Sequence, residues 1–184
     1  MTAQQPHDRA EGTLARRPSR YAVAFAAARI ALGLYWLYEQ HWKFPPDFGL
    51  RDPRGLMFAF RQSIQYPTLD LYRAFLQNVV VPHFHLFGWL IGFTEVAIGA
   101  SLVLGALTRA GALLGALQAV NLLIAQGATP EGPWIYVALL AANLFVLFTP
   151  SNREFSVDSR LSRKASATPR GNTLLTRVWL WAIS

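Results

Sequence analysis

Residues 84–108 read FHLFGWLIGFTEVAIGASLVLGALT, 25 residues almost without polar interruption. No other stretch limits the fold as strongly. About 20 residues at 1.5 Å rise cross a hydrocarbon core of roughly 30 Å, so the run predicts a membrane-spanning helix. One carboxylate, Glu95, sits near its centre. An ionisable group at that depth costs on the order of 2.5–3.5 kcal/mol on insertion scales, so Glu95 needs a partner or a task.

Three more apolar runs accompany it, at 21–38, 110–126 and 134–149. Pro45-Pro46 closes the first, the 127–133 segment is a Gly/Pro loop, and Pro150 ends the last. The connection at 39–82 is too long to lack structure of its own. Within it, Leu56, Met57, Phe60 and Ile64, then Leu69, Tyr72, Phe75, Leu76 and Val79, recur at helical spacing among polar residues. Both segments are too short and polar to span and predict amphipathic helices lying at the membrane interface or capping the bundle. The expected fold is all-α: a four-transmembrane-helix bundle with short interfacial helices in a long outer connection between spans one and two. The domain plan is a basic, disordered N-terminus at 1–20, a membrane domain at 21–150 and a polar tail at 151–184, with a Trp-rich segment at 173–183 able to lie on the membrane or against a partner.

Composition agrees. The chain is 53% hydrophobic and 15% charged, against roughly 25% charged in typical soluble domains. Its excess of Lys and Arg flanks the apolar runs instead of forming a nucleic-acid face, so no nucleic-acid partner is expected. Eleven Lys/Arg lie in 1–20, at Arg109 and in the tail; five lie in 39–82, offset by four carboxylates. The positive-inside rule then places both termini in the cytoplasm, in an inner-membrane protein, with the 39–82 connection outside. There is no cysteine, which excludes disulfides, thiolate metal sites and Cys nucleophiles. No P-loop, dinucleotide-binding glycine pattern, HExxH or GxSxG occurs.

Helices in lipid approach closely through small residues, and each run has such a stripe: Ala24, Ala27, Ala28 and Ala31; Gly88, Gly92, Gly99 and Gly105; Gly111, Gly115 and Ala119; Ala138, Ala141 and Ala142. Each also carries a polar group near one level: Arg29, Glu95, Gln118 with Asn121, and Asn143. Counting 1.5 Å per residue from the helix ends brings Arg29 within reach of Glu95 and predicts an ion pair between them. That pair could relay protons, hold a quinone head group or lock the bundle; the amides serve equally well as interhelical glue. His41, His83 and His85 fall at the outer end of spans one and two and mark a candidate outer quinone site. Haem is disfavoured, because His83 and His85 are two apart and cannot share a helix face, and no metal site is expected.

With these residues in view, a family resemblance emerges. Arg29-Ile30-Ala31-Leu32-Gly33-Leu34, an aromatic helix end running to Lys43, Glu95 followed by Gly99, then Leu104-Gly105-Ala106-Leu107-Thr108-Arg109 and a close in Arg153-Glu154-Phe155-Ser156-Val157-Asp158 resemble the DoxX/DoxD-like proteins over roughly residues 20–160. These are small four-helix membrane proteins, and DoxD is a subunit of thiosulfate:quinone oxidoreductase. The long 39–82 connection is more like the DoxD type. The resemblance implies that Arg29, Glu95 and Arg109 are characteristic polar positions. It also implies a membrane subunit of a quinone-linked oxidoreductase, acting on thiosulfate or another small sulfur compound, with quinone as cofactor and with other subunits in the bilayer. A non-catalytic anchoring subunit is the alternative, and a homo-oligomer stays open.

Overall fold

The structure is a computed structural model that describes residues 20–43, 45–149 and 157–158. The expectations for the N-terminal 1–19 and for the Trp-rich 173–183 segment lie outside the described residues. Six α-helices follow in order: α1 (Arg20–Tyr38), α2 (Leu56–Gln65), α3 (Asp70–Phe75), α4 (Phe84–Leu104), α5 (Thr108–Gln126) and α6 (Trp134–Phe148), with a π-helical turn (Leu76–Val80) continuing α3. The described residues contain no strand. Three helices, α1, α4 and α5, are long and apolar enough to cross a membrane, and α6, at 15 residues, is shorter. The two short helices expected within the connection are present as α2 and as α3 with its π turn.

α1 packs antiparallel on α4, and α5 on α6, with α4 joining the two pairs. The α1–α4 crossing is set by two glycines. A Cβ at Gly33 would lie 2.9 Å from the Gly99 carbonyl oxygen and the Val103 amide, and one at Gly99 would lie 2.7 Å from Leu37. Gly115 similarly leaves no room for a Cβ beside Asn143 of α6. These glycines therefore serve close helix–helix packing within the bundle; Gly88 serves a different neighbour. Its missing Cβ admits the ring of Phe48, which would lie 2.7 Å from it. Phe48, buried and at φ 52°, is a plug from the connection and belongs to no helix.

The turn between α4 and α5 falls at 105–107, earlier than the break at 109 between the apolar runs 84–108 and 110–126. The cause is Gly105, which takes the left-handed region at φ 64° and ends α4 as a C-cap. Leu107 is also left-handed, at φ 54°, a conformation disfavoured for a side chain of that size. It is held by Asp158, whose carboxylate accepts from the Leu107 and Thr108 amides at 2.8 and 2.9 Å and from Thr108 Oγ1 at 2.8 Å. The Asp158 amide in turn donates to the Gly105 carbonyl at 3.0 Å. The tail thus supplies the N-cap that α5 lacks in its own sequence.

Candidate functional site: a cavity around a buried lysine–glutamate pair

The antiparallel crossing decides who meets Glu95. Gly99 is level with residues 33–37 of α1, so Glu95, one turn nearer the N-terminus of α4, is level with the end of α1. Arg29 lies one turn on the other side of the crossing. The two are separated by about 12 Å along the bundle axis at 1.5 Å per residue. The expected Arg29–Glu95 pair does not form. Arg29 donates instead to the Leu102 carbonyl at 2.6 Å and sits in the field of Asp158, on the side of the α4–α5 turn. Depth counted from helix ends assumes that the ends share a plane, whereas α4 continues well beyond the end of α1.

The partner of Glu95 is Lys43. Past Tyr38 the chain tightens, with Gln40 N donating to Leu37 O, His41 N to Tyr38 O and Lys43 N to Gln40 O at 3.0–3.2 Å. Gln40 and Lys43, three residues apart, are thereby turned to the same side. Lys43 Nζ donates to both oxygens of Glu95 at 2.8 and 2.7 Å, and Gln40 Nε2 donates to Glu95 Oε2. Both charged side chains are almost completely buried, at 7% and 1% exposure. The ammonium also lies 4.4 Å from the centre of the Trp42 ring, a cation–π contact that helps offset its desolvation. A charge pair this deep need not beat an apolar core on stability, which makes a task for it the more pressing question.

The pair faces a cavity of about 370 Å³. Its walls come from the end of α1, from α2 and α3, from the N-terminal half of α4 and from α5 and α6. One part of the lining is polar: Lys43, Glu95, Glu39, Gln118 and Asn121; most of the rest is aromatic or aliphatic. The Gln118 amide approaches the Glu95 carboxylate. Glu39 accepts from Trp42 Nε1 at 3.3 Å, and the Tyr35 hydroxyl approaches it. Trp36 also lines the cavity; its indole N–H is buried and has no acceptor among the described residues. The Tyr72 hydroxyl donates to Asn121 Oδ1 at 3.0 Å. Burial pushes the Tyr72 phenol above its usual range, so it stays a donor at physiological pH.

Of the residues singled out in the sequence, Glu95, Gln118 and Asn121 line this cavity. Asn143 does not: it is fully buried between α5 and α6 and donates to the Leu139 carbonyl at 2.8 Å. Arg29 is likewise elsewhere, and Arg109 falls in the first turn of α5 beside the Asp158 cap. The histidines are not part of the cavity. His41 and His83 donate from Nδ1 to the carbonyls of Tyr38 and Val79 at 2.7 and 2.9 Å, His85 lies edge-on to Phe48 and Phe84, and all three are exposed. Helix-end position is a weak guide to orientation, and these rings point out of the bundle. Reading the sequence for polar groups within spans missed Lys43, Gln40 and Glu39. They follow α1 in the chain, and the available signal was Lys43 itself, a cation at the end of an aromatic run opposite an unpaired carboxylate.

A family model described as TQO small subunit DoxD matches residues 24–180, most of the chain. No curated protein and no solved structure matches.

Proposed function

This chain belongs to the DoxD family, membrane subunits of thiosulfate:quinone oxidoreductase, and from that premise we propose that its cavity binds the quinone head group. The observation that carries this reading is a polar cluster around a buried charge pair, Lys43–Glu95 with Gln118, set in a wall that is mostly aromatic and aliphatic. Ligand pockets of about 300–1,000 Å³ with few convergent polar groups are the usual form of a small-molecule site. The chemistry of the donors suits a neutral ring with accepting carbonyls. Two N–H groups of Lys43 are directed at Glu95, and among the described residues no other acceptor takes the third. Trp36 offers a second unmatched donor.

The charges argue against thiosulfate in the same place. Lys43 is answered by Glu95, and Glu39 adds a further carboxylate to the lining. A dianion would meet net negative charge in a low-dielectric site. Sulfur oxidation is therefore assigned to a partner subunit, with this chain at the quinone end, crossing the cytoplasmic membrane four times with both termini inside and α6 as the shortest span. When bound, quinone supplies the redox chemistry, taking up two electrons and two protons as it becomes quinol; the electrons come from the sulfur donor through the partner. Lys43 would hold a proton toward one carbonyl oxygen, Glu95 would keep the ammonium charged and oriented, and the mostly apolar wall would limit the entry of water. Glu39, half-buried just past the end of α1, would return a proton to the site.

The test is titration of a short-chain quinone into the purified complex. The double variant Lys43→Met/Glu95→Gln, which removes both charges together, is expected to bind at least tenfold more weakly, the loss of about 1.4 kcal/mol. Unchanged affinity would leave the anchoring alternative, which the glycine-packed bundle suits.

A further inference from the structure

The cavity is far too small for a polyisoprenoid tail, so a quinone whose head sits at Lys43 must lead its tail out through the wall. One part of that wall differs from the rest. α3 lies across the space between α4 and α5. Tyr72 reaches α5 through its hydrogen bond to Asn121 at 3.0 Å, and Phe75, one turn on, meets Phe87 of α4 edge-on at 6.1 Å between ring centres. All four side chains line the cavity. Beside them the lining comes to the outer apolar surface: Phe75 is 42% exposed and Leu90 57%. α3 contributes no buried residue of its own, whereas the π turn that follows it is anchored by Leu76 and Val80. A short helix with few buried contacts, tied down at one end and held to α5 by a hydrogen bond, is at the low-stability end of a fold. π turns recur at functional sites and change the direction of the helix that carries them.

We propose that α3 is a lateral gate: the tail of a bilayer-borne quinone runs out between Phe75 and Leu90, and α3 turns on the π segment to admit the head group from the membrane plane. This rests on the quinone reading above and adds the route and a tail subsite to it.

The absence of cysteine from the chain makes introduced cysteines its only thiols, and the purified complex without them is the control for thiols of the partner subunit. Tyr72→Cys/Asn121→Cys would be bridged by a bis-methanethiosulfonate spacer, because cysteines replacing a Tyr–Asn hydrogen-bonded pair are too far apart for a direct disulfide. Binding of decyl-benzoquinone would be followed by stopped-flow tryptophan quenching before bridging, after it and after reduction. The expected result is an association rate at least tenfold slower when bridged and restored by reductant, a slowing that single-cysteine variants carrying the spacer at one end do not reach. In parallel, Leu90→Trp, at an exposed position, should weaken decyl-benzoquinone at least fivefold while leaving tail-less benzoquinone unchanged. Equal association rates with and without the bridge, or equal effects of Leu90→Trp on both quinones, overturn the gate while leaving the head-group site standing. Absence of any quinone binding by the unmodified complex overturns both.

Discussion

At the scale of single residues, the account turns on Glu95 and its partner. Sequence made the need for a partner legible, because one carboxylate in a 25-residue apolar run has to be neutralised. It did not make the identity legible. Two cations were on offer, and only the Gly33–Gly99 crossing decides between them. Removing one member of a buried pair leaves the other uncompensated, so Lys43→Met and Glu95→Gln are each expected to destabilise the folded protein by about 3–5 kcal/mol. The double variant should cost clearly less than their sum. Denaturant unfolding in detergent, read as a double-mutant cycle, checks this. Arg29 supplies the contrast: combined with Glu95→Gln, Arg29→Met should give additive losses, because the two lie on opposite sides of the helix crossing. A coupling energy between positions 29 and 95 as large as that between 43 and 95 would restore the pairing inferred from depth alone.

At the scale of elements, helix positions were readable because run length and Gly/Pro punctuation fix them; the ends were not. Residues 105–107 illustrate why. The turn depends on a left-handed Gly105, a left-handed Leu107 and a carboxylate 51 residues further along the chain, and only the first has a local signal. Asp158→Ala removes the cap and should lower stability by about 0.5–2 kcal/mol. Leu107→Gly, which relieves the left-handed strain, should recover part of that loss in the same background. Thermal unfolding of the two variants and their combination tests the cap. A second element-level expectation concerns the α1–α4 crossing. At Gly33 a Cβ meets backbone, the Gly99 carbonyl and the Val103 amide, so Gly33→Ala must spread the helices, at about 1–3 kcal/mol. At Gly92, whose Cβ would meet the end of the Gln40 side chain at 3.5 Å, alanine should be close to neutral. The glycine stripes were visible in the sequence. That Gly88 serves a phenylalanine of the connection was not, because small-residue spacing says that something approaches and leaves its identity open.

At the scale of the whole molecule, the all-helical membrane architecture was legible from apolar run lengths, while the cavity was not. It exists because α4 outlasts α1 toward the α2–α3 side, and the connection folds back into the space left over. That mismatch appears only when the helices are packed. The orientation drawn from charge gives a separate expectation. In the cysteine-free chain, Arg51→Cys should react with a membrane-impermeant maleimide in intact cells, whereas a cysteine at position 10 should react only after lysis. The reverse pattern would invert the topology. Placement of a quinone head group at the Lys43–Glu95 pair is tested most directly by photolabelling the purified complex with an azido-quinone and mapping the adducts by mass spectrometry. The expected adducts fall on cavity-lining residues at the end of α1, the N-terminal half of α4 and the Gln118–Ala125 part of α5, and they disappear when unlabelled quinone competes. Competed adducts around exposed His41, His83 and His85, with none in the cavity, would contradict it.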